Sequence, residues 1–205
     1  MIHTKTVSIR FTGLLFFIAT LSFFISPGAA EQPEPTGFDL QVRDMAFKCR
    51  DEVIEEFEKL LSINRLNKNQ LFDTFYIPIP DTYPQKYHTQ YDQISDEALR
   101  GILDKYLDMD KRIVMVVAID VNGYVPTHNS RYTKPLTKDP DYNAANNRTK
   151  RIIDDVTGLA AAKSTDPYLL QKYNRDTGEH LADLSVPIFI AGRHWGALRI
   201  AYRLK

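Results

Sequence analysis

The stretch RIVMVVAIDVNGYVPTHN, residues 112–129, predicts a β-hairpin and with it a β-rich second half of the chain. Residues 112–120 are apolar at nearly every position, which is typical of a central strand that is buried on both faces. Asn122-Gly123 favours a tight turn, because both residues tolerate positive φ. The second strand, residues 124–129, contains Pro126, which cannot donate a hydrogen bond to a neighbouring strand. This strand should therefore lie at an edge of the sheet.

Three more strands are predicted downstream, joined by tight turns around residues 176–178 and near Gly192. They span residues 168–175, 182–191 and 194–204. Between the second and third strands runs a long crossover, for which we predict a helix at Asn147–Asp155.

The first half of the chain is predicted to be helical. Apolar residues recur at steps of three to four within a helix at Asp39–Ile63: Met45, Cys49, Val53, Phe57, Leu60 and Leu61. The apolar stripe looks too long for one small sheet to cover, so we expect part of it to pack against a second copy in a homodimer. Ser95 is expected to cap a second helix, which extends to Leu107.

Helices followed by a hairpin, a helical crossover and three strands indicate an α+β domain with a five-stranded antiparallel sheet. The order resembles a PAS-like fold, in which the strands lie 2-1-5-4-3. Residues 31–38 form a proline-containing linker, and residues 39–205 form one domain, helical over 39–110 and sheet-forming over 111–205.

The first thirty residues have the composition of a secretory signal peptide. Lys5 and Arg10 precede an apolar run at Leu14–Ile25, and small residues follow up to Ala30. A membrane-spanning helix needs about 20 apolar residues, and this run is shorter. We therefore expect cleavage after Ala30 and a periplasmic or secreted protein, with an uncleaved membrane anchor as the alternative.

Composition and motifs exclude several classes of function. The chain has 26 basic and 26 acidic residues, which are interleaved, so nothing indicates a nucleic-acid-binding face. Cys49 is the single cysteine, so no disulfide can form within the chain. The sequence contains no phosphate-binding loop, HExxH or GxSxG motif, and its histidines lack metal-ligand spacing.

The first candidate site is the end of the second strand, where the pocket of a PAS-like fold opens. His128 and Asn129 lie at this end, and Arg131 and Tyr132 follow. Their side chains either line a pocket or only shape the turn. Tyr124, Tyr132, Tyr168 and Tyr173 would wall the pocket, unless they are ordinary packing residues of the sheet.

The predicted crossover helix supplies the second candidate site. Its bases precede its acids, Asp154 and Asp155, which is the reverse of what a helix dipole favours. These charges therefore pair with the rest of the fold or face a ligand. Arg151 and Asp154 are three residues apart, and such a pair could bind a carboxylate or an amino acid zwitterion.

Four segments carry a resemblance to a known family: LFDTFYIPIPDTYPQKYHTQYD (71–92), DVNGYVPTHN (120–129), NRTKRIIDD (147–155) and VPIFIAGRHWGALRIAY (186–202). Together they resemble the extracytoplasmic PAS/Cache-type sensor region of bacterial methyl-accepting chemotaxis proteins. Some members of that family bind c-type haem through CxxCH. This chain lacks the motif, so we expect no cofactor, while non-covalent haem binding stays open.

The resemblance implies a small-molecule sensor that takes part in signal transduction. Because this chain resembles the sensing part alone, we expect it to pass ligand occupancy to a membrane receptor or another signalling protein. We expect no catalysis. The alternatives are a small periplasmic enzyme that uses His128 with Asp154 or Asp155, and a ligand-free structural dimer.

The signal peptide is directly testable. Protein recovered from the cell envelope should begin at Glu31, as N-terminal sequencing or intact mass would show. Full-length chain found only in the cytosol would contradict the predicted export.

Overall fold

The computed structural model describes residues 33–174 and 179–204. Its helices are α1 (Phe38–Ser62), α2 (Lys68–Leu71), α3 (Asp92–Ala98), α4 (Arg100–Leu107), α5 (Pro140–Asn146) and α6 (Val156–Lys163). Its strands are β1 (Ile77–Ile79), β2 (Lys86–His88), β3 (Ile113–Asp120), β4 (Tyr124–Val125), β5 (Arg151–Ile152), β6 (Leu169–Asn174), β7 (His180–Ile190) and β8 (Arg193–Arg203). None of the helices in these two ranges is both long enough and apolar enough to cross a membrane. The predicted signal peptide lies outside the described residues.

The main sheet is antiparallel, and its strand order is β3-β8-β7-β6. This is the predicted order without the second strand, so the described sheet has four strands rather than five. The expected edge strand at 124–129 is reduced to the two residues of β4, which pair with β5 in a separate ribbon. Pro126 explains where β4 ends, because it offers no backbone donor.

Side chains occupy the place that the missing edge strand would have taken beside β3. The backbone N–H of Val116 donates to Asn129 Oδ1 at 2.9 Å, and the Tyr132 hydroxyl donates to the carbonyl of Val114 at 2.9 Å. Asn129 is fully buried. These bonds satisfy buried backbone groups of β3, which would otherwise destabilise the fold.

The long N-terminal helix is covered by its own chain. α1 has 25 residues, which gives a length of roughly 37 Å. β7 and β8 have 11 residues each and extend over roughly 36 Å, so the sheet matches the helix in length. The apolar stripe of α1 is buried from Val42 to Leu60 against β7, β8 and α4. The argument for a dimer from an uncovered stripe was therefore wrong, and the homodimer itself stays a prediction.

The helix predicted at Asn147–Asp155 is absent. This segment contains a turn at residues 149–150 followed by β5, and the helices α5 and α6 lie on either side of it. Asp155 is the N-cap of α6, and its Oδ1 accepts the backbone N–H of Gly158 at 2.7 Å. Acidic residues are favourable at that end of a helix. The charge order that conflicted with a helix at 147–155 therefore agrees with a helix that begins after Asp155.

The second predicted helix is divided at Leu99 into α3 and α4. Ser95 does not cap it. Its hydroxyl lies within α3 and donates back to the carbonyl of Tyr91 at 2.7 Å, because α3 begins at Asp92.

The bond between Asn129 and β3 predicts a measurable loss of stability. Asn129→Ala leaves the buried N–H of Val116 without its acceptor and should lower the free energy of unfolding by about 1–3 kcal/mol. Urea unfolding measures this loss. Asn146→Ala is the control, because the Asn146 amide bonds only to the carbonyl of Tyr142 within α5. Equal stability of the two variants would contradict a structural role for Asn129.

A cationic cleft between the sheet and the crossover

One face of the sheet packs against α1, and the other faces α6 and the crossover. On this second face β8 presents Ala197, Arg199 and Ala201, and β7 presents Asp183 beside them. Arg199 and Asp183 form a buried ion pair in which Nε–Oδ1 is 3.2 Å and Nη2–Oδ2 is 2.8 Å. Their side chains are 4% and 0% exposed.

The ion pair leaves part of the guanidinium unused. Burial by itself lowers the pKa of Arg199, but the neighbouring Asp183 outweighs burial and raises the pKa above its usual value. Nη1 of Arg199 is buried, and no hydrogen-bond partner is found for it within residues 33–174 and 179–204. A methyl group added at Gly158 would lie 3.3 Å from Nη1, so the glycine leaves room for the guanidinium.

Two adjoining cavities lie over this face, and together we call them the cleft. The inner cavity has a volume of about 200 Å³ and is lined by Val114, Met115, Tyr132, Arg148, Ile153, Asp155, Tyr173, Arg199 and Ala201. The outer cavity has a volume of about 330 Å³ and is lined by Ala144, Arg148, Arg151, Ile152, Ile153, Asp154 and Asp155. Because three lining residues are common to both, the cavities form one continuous site.

Basic side chains dominate the inner part of the cleft. Arg148 and Arg199 line the inner cavity, Arg151 lines the outer cavity together with Arg148, and Asp183 pairs with Arg199. Burial lowers the pKa of Arg151, and the charge of Arg148 lowers it further. Arg151 Nη1 donates only a long bond of 3.4 Å to the carbonyl of Ala144. Guanidinium groups in this arrangement favour binding of a carboxylate or another small anion.

The two acidic residues of the cleft differ in position, because Asp154 lines only the outer cavity and Asp155 lines both cavities. Asp154 and Asp155 are exposed, and Asp155 also caps α6. An ammonium group would be attracted by these carboxylates and repelled by the arginines in the interior of the cleft. The cleft can therefore accommodate an anionic group inside and a cationic group at its mouth.

Four of the nine predicted site residues lie together in the cleft: Tyr132, Arg151, Asp154 and Asp155. Arg131 does not join them. It lines a separate groove of about 460 Å³ with Asp104, Asp108 and Ser130. Arg131 was therefore wrongly grouped with Tyr132, because the short 3₁₀ turn at Ser130–Tyr132 directs neighbouring side chains to different surfaces.

His128 lies in the protein core and is 1% exposed. Its Nδ1 accepts the backbone N–H of Asn129 at 2.8 Å. Burial, with a further contribution from Arg148 and other nearby cations, lowers the pKa of His128 to about 3. The imidazole is therefore neutral near pH 7, and its Nδ1 is engaged by the backbone rather than by Asp154 or Asp155.

Three other predicted site residues have structural contacts. Tyr124 is buried, and its hydroxyl donates to the carbonyl of Tyr87 at 2.8 Å. Asn129 completes the edge of β3. Tyr168 is partly buried and packs against the main hydrophobic core. None of the three lines the cleft, and the contacts of each are those of a packing residue.

The sequence interpretation missed the ion pair, whereas Arg148 and Tyr173, which it considered for a ligand or a cavity wall, both line the inner cavity. A signal was present, because Asp183 and Arg199 interrupt runs that otherwise read as buried strands. A charge within a buried strand requires a partner. Pairing these two charges across the last two strands would have identified the centre of the second face.

Metal binding has no support in the described ranges, where no group of three or more His, Cys, Asp or Glu side chains could hold an ion.

Comparisons with solved structures find weak similarities, among them the two that follow. No protein-family description and no curated protein matches the chain. An extracellular ligand-binding receptor from Desulfohalobium retbaense is 14% identical over 79% of this chain and 25% of that chain, with a TM-score of 0.34. The ligand-binding domain of the Pseudomonas aeruginosa amino acid chemoreceptor PctC, in complex with GABA, is 13% identical over 82% of this chain and 63% of that chain, with a TM-score of 0.32. This chain thus spans a quarter of the first protein and less than two thirds of the second. These scores are too low to carry a conclusion about fold or function.

The buried ion pair predicts that substitutions of two aspartates differ strongly in their effect on the free energy of unfolding. Asp183→Ala leaves the Arg199 charge buried without a carboxylate and should cost about 3–5 kcal/mol of unfolding free energy. Asp110→Ala removes a more exposed partner of Arg112 and should cost about 0–1 kcal/mol. Chemical denaturation of both variants measures the difference. A similar, small loss for both would show that the buried pair contributes little.

Proposed function

We propose that the chain is an extracytoplasmic sensor domain that binds a small carboxylate-containing ligand in the cleft and reports its occupancy to a partner protein. Two lines of support meet in this proposal. Four sequence segments resemble the sensor region of chemotaxis receptors, and the cleft gathers guanidinium groups above a sheet face. The ligand is a short carboxylic acid or an amino acid.

The unsatisfied Nη1 of Arg199 is the observation that carries the proposal. A buried N–H without an acceptor costs about 1–3 kcal/mol, so such groups are uncommon in folded proteins. A carboxylate in the inner cavity would accept from Nη1, and Arg148 lines the same cavity. The inner volume of about 200 Å³ corresponds to roughly seven water molecules, which suits a ligand of a few non-hydrogen atoms.

The outer cavity contains a residue, Asp154, that distinguishes an amino acid from a simple carboxylic acid as the ligand. An amino acid would direct its carboxylate toward the arginines and its ammonium toward Asp154, which lies at the mouth. A simple carboxylic acid would leave Asp154 without a role. Charge reversal or neutralisation at this position therefore separates the two classes.

Signalling in this proposal requires no chemical step. Binding would favour the conformation of the domain that holds the ligand more tightly, and a membrane receptor or other signalling protein would detect it. The enzyme alternative required His128 to act with Asp154 or Asp155. His128 is buried instead, and its Nδ1 accepts a backbone N–H.

Thermal denaturation with a ligand panel tests the proposal. Acetate, succinate, glycine and glutamate should be compared with putrescine, which carries no carboxylate. A true ligand at 100 times its Kd should add about 2.7 kcal/mol to the stability of the folded state. Arg148→Ala and Arg151→Ala should each weaken binding by tenfold or more, since each removes a charge-assisted bond.

Arg131→Ala is the matched control, because Arg131 lines the separate groove. It should leave ligand affinity unchanged. Stabilisation by putrescine alone, or an equal loss of affinity in all three arginine variants, would contradict a carboxylate site in the cleft. Native mass spectrometry of protein purified from its own host would identify a retained ligand by mass, including non-covalent haem.

A further inference from the structure

Lys86, on β2, is a buried lysine that is only 3% exposed. Its ammonium donates to Asn147 Oδ1 at 2.5 Å, to the carbonyl of Asn147 at 3.3 Å and to the carbonyl of Thr149. All three acceptors are neutral and belong to the crossover. None of these contacts is an ion pair, which distinguishes Lys86 from Arg199.

The three acceptors lie on a short segment that we call the strap, residues 147–151. The strap carries Arg148 and Arg151, both of which line the cleft. Two further bonds hold its backbone, from Arg148 N–H to the carbonyl of Tyr132 at 2.8 Å and from Lys150 N–H to the carbonyl of Val125 at 2.7 Å. Lys86 thus holds carbonyls of the two residues adjacent to Arg148.

The strap also contains a costly backbone conformation. Lys150 has a φ of 59°, which is unfavourable for a residue other than glycine. Its side chain reaches Asp96 at 2.8 Å and Asp92 at 3.0 Å, both on α3. Conformations of this kind persist where surrounding contacts enforce them.

Burial of a charged ammonium group costs free energy, so Lys86 is an unusual residue to hold a loop. Lys86 faces the charges of Arg151 and Lys150 on the strap and of Asp96 on α3, and it also lies near His128. Burial and the two nearby cations lower its pKa to about 8. An ammonium has three donors, however, and can satisfy three acceptors converging on one point, which a neutral amine cannot do.

We propose that Lys86 is a positioning residue that holds the strap in the conformation presenting Arg148 and Arg151 to the cleft. The expected effect of Lys86 on ligand affinity rests on the proposed function. The order of the strap itself can be measured without any ligand.

Hydrogen exchange on the full mature protein measures that order. Lys86→Met keeps the apolar stem but removes the three donors. Bonds to charged groups contribute about 1.5–3 kcal/mol, which corresponds to about ten- to a hundredfold, so the Arg148 and Lys150 amides should exchange at least tenfold faster. Amides of α1 should keep their protection. Lys138→Met, at an exposed lysine of the same crossover, should leave the strap unchanged.

Affinity for succinate as a function of pH gives a second measurement on the unmodified protein. As the pH rises from 7 to 9, Lys86 loses its proton, and with it one donor and one positive charge beside Arg151. Succinate affinity should then fall several-fold. Because the pKa of Lys86 is lowered from 10.5, deprotonation relieves a buried charge, so the unliganded fold should not lose stability from this group. Lys86→Met should bind succinate about tenfold more weakly at pH 7 and lack this pH dependence.

The outcomes separate this proposal from the proposed function. Unchanged strap exchange in Lys86→Met would overturn the positioning role, as would a strap that loosens while succinate affinity stays intact. Uniformly faster exchange throughout the domain would show a merely structural role and would also overturn it. If the wild-type protein binds neither succinate nor any other panel compound, the proposed function fails, while faster exchange confined to the strap would still support the role of Lys86.

Discussion

The buried ion pair between Asp183 and Arg199 is the constraint around which the second face of the sheet is arranged. Two charges in a protein interior are tolerated only when each satisfies the other and further polar groups complete their bonding. The pair meets the first condition. The second condition is not met at Nη1 of Arg199, which has no hydrogen-bond partner among the described residues. Small residues surround it, Ala197 and Ala201 on β8 and Gly158 on α6. The cleft exists because this face cannot be closed by apolar packing alone.

The opposite face follows a different physical rule. There α1 lies on two strands of equal length, so apolar burial is continuous and charged residues are largely excluded. At the start of α1, buried Asp39 accepts hydrogen bonds from the hydroxyl of Tyr202 at 2.7 Å and from the ammonium of Lys172 at 3.0 Å. These bonds tie the start of the helix to β8 and β6. An apolar face and a polar face that carries the cleft thus share the same two central strands.

Hydrogen bonds from polar side chains to backbone groups hold the crossover in its conformation. Asn129 and Tyr132 bond to β3, Lys86 bonds to the strap, and Asp155 caps α6. Each side chain satisfies backbone groups that have no partner in a sheet or helix. The result is an irregular segment held at many points, which can present arginines to a cavity with little freedom.

Local patterns in the sequence determined the elements that depend on local physics. Apolar periodicity predicted a helix at 39–63, and the structure has it at Phe38–Ser62; the four strands of the main sheet also lie close to their predicted positions. The predicted hairpin does not form, because the strand after Asn122-Gly123 pairs with β5 rather than with β3. Strand order and charge order placed four of the cleft residues on the crossover. The local pattern could not show that Asn147–Asp155 is non-helical, because there the partners of the backbone come from residues distant in sequence, such as Lys86 and Val125. It also could not separate His128 and Asn129, which are buried, from Tyr132, which lines the cleft. That distinction depends on which side of the chain the sheet occupies, and only the tertiary structure decides it.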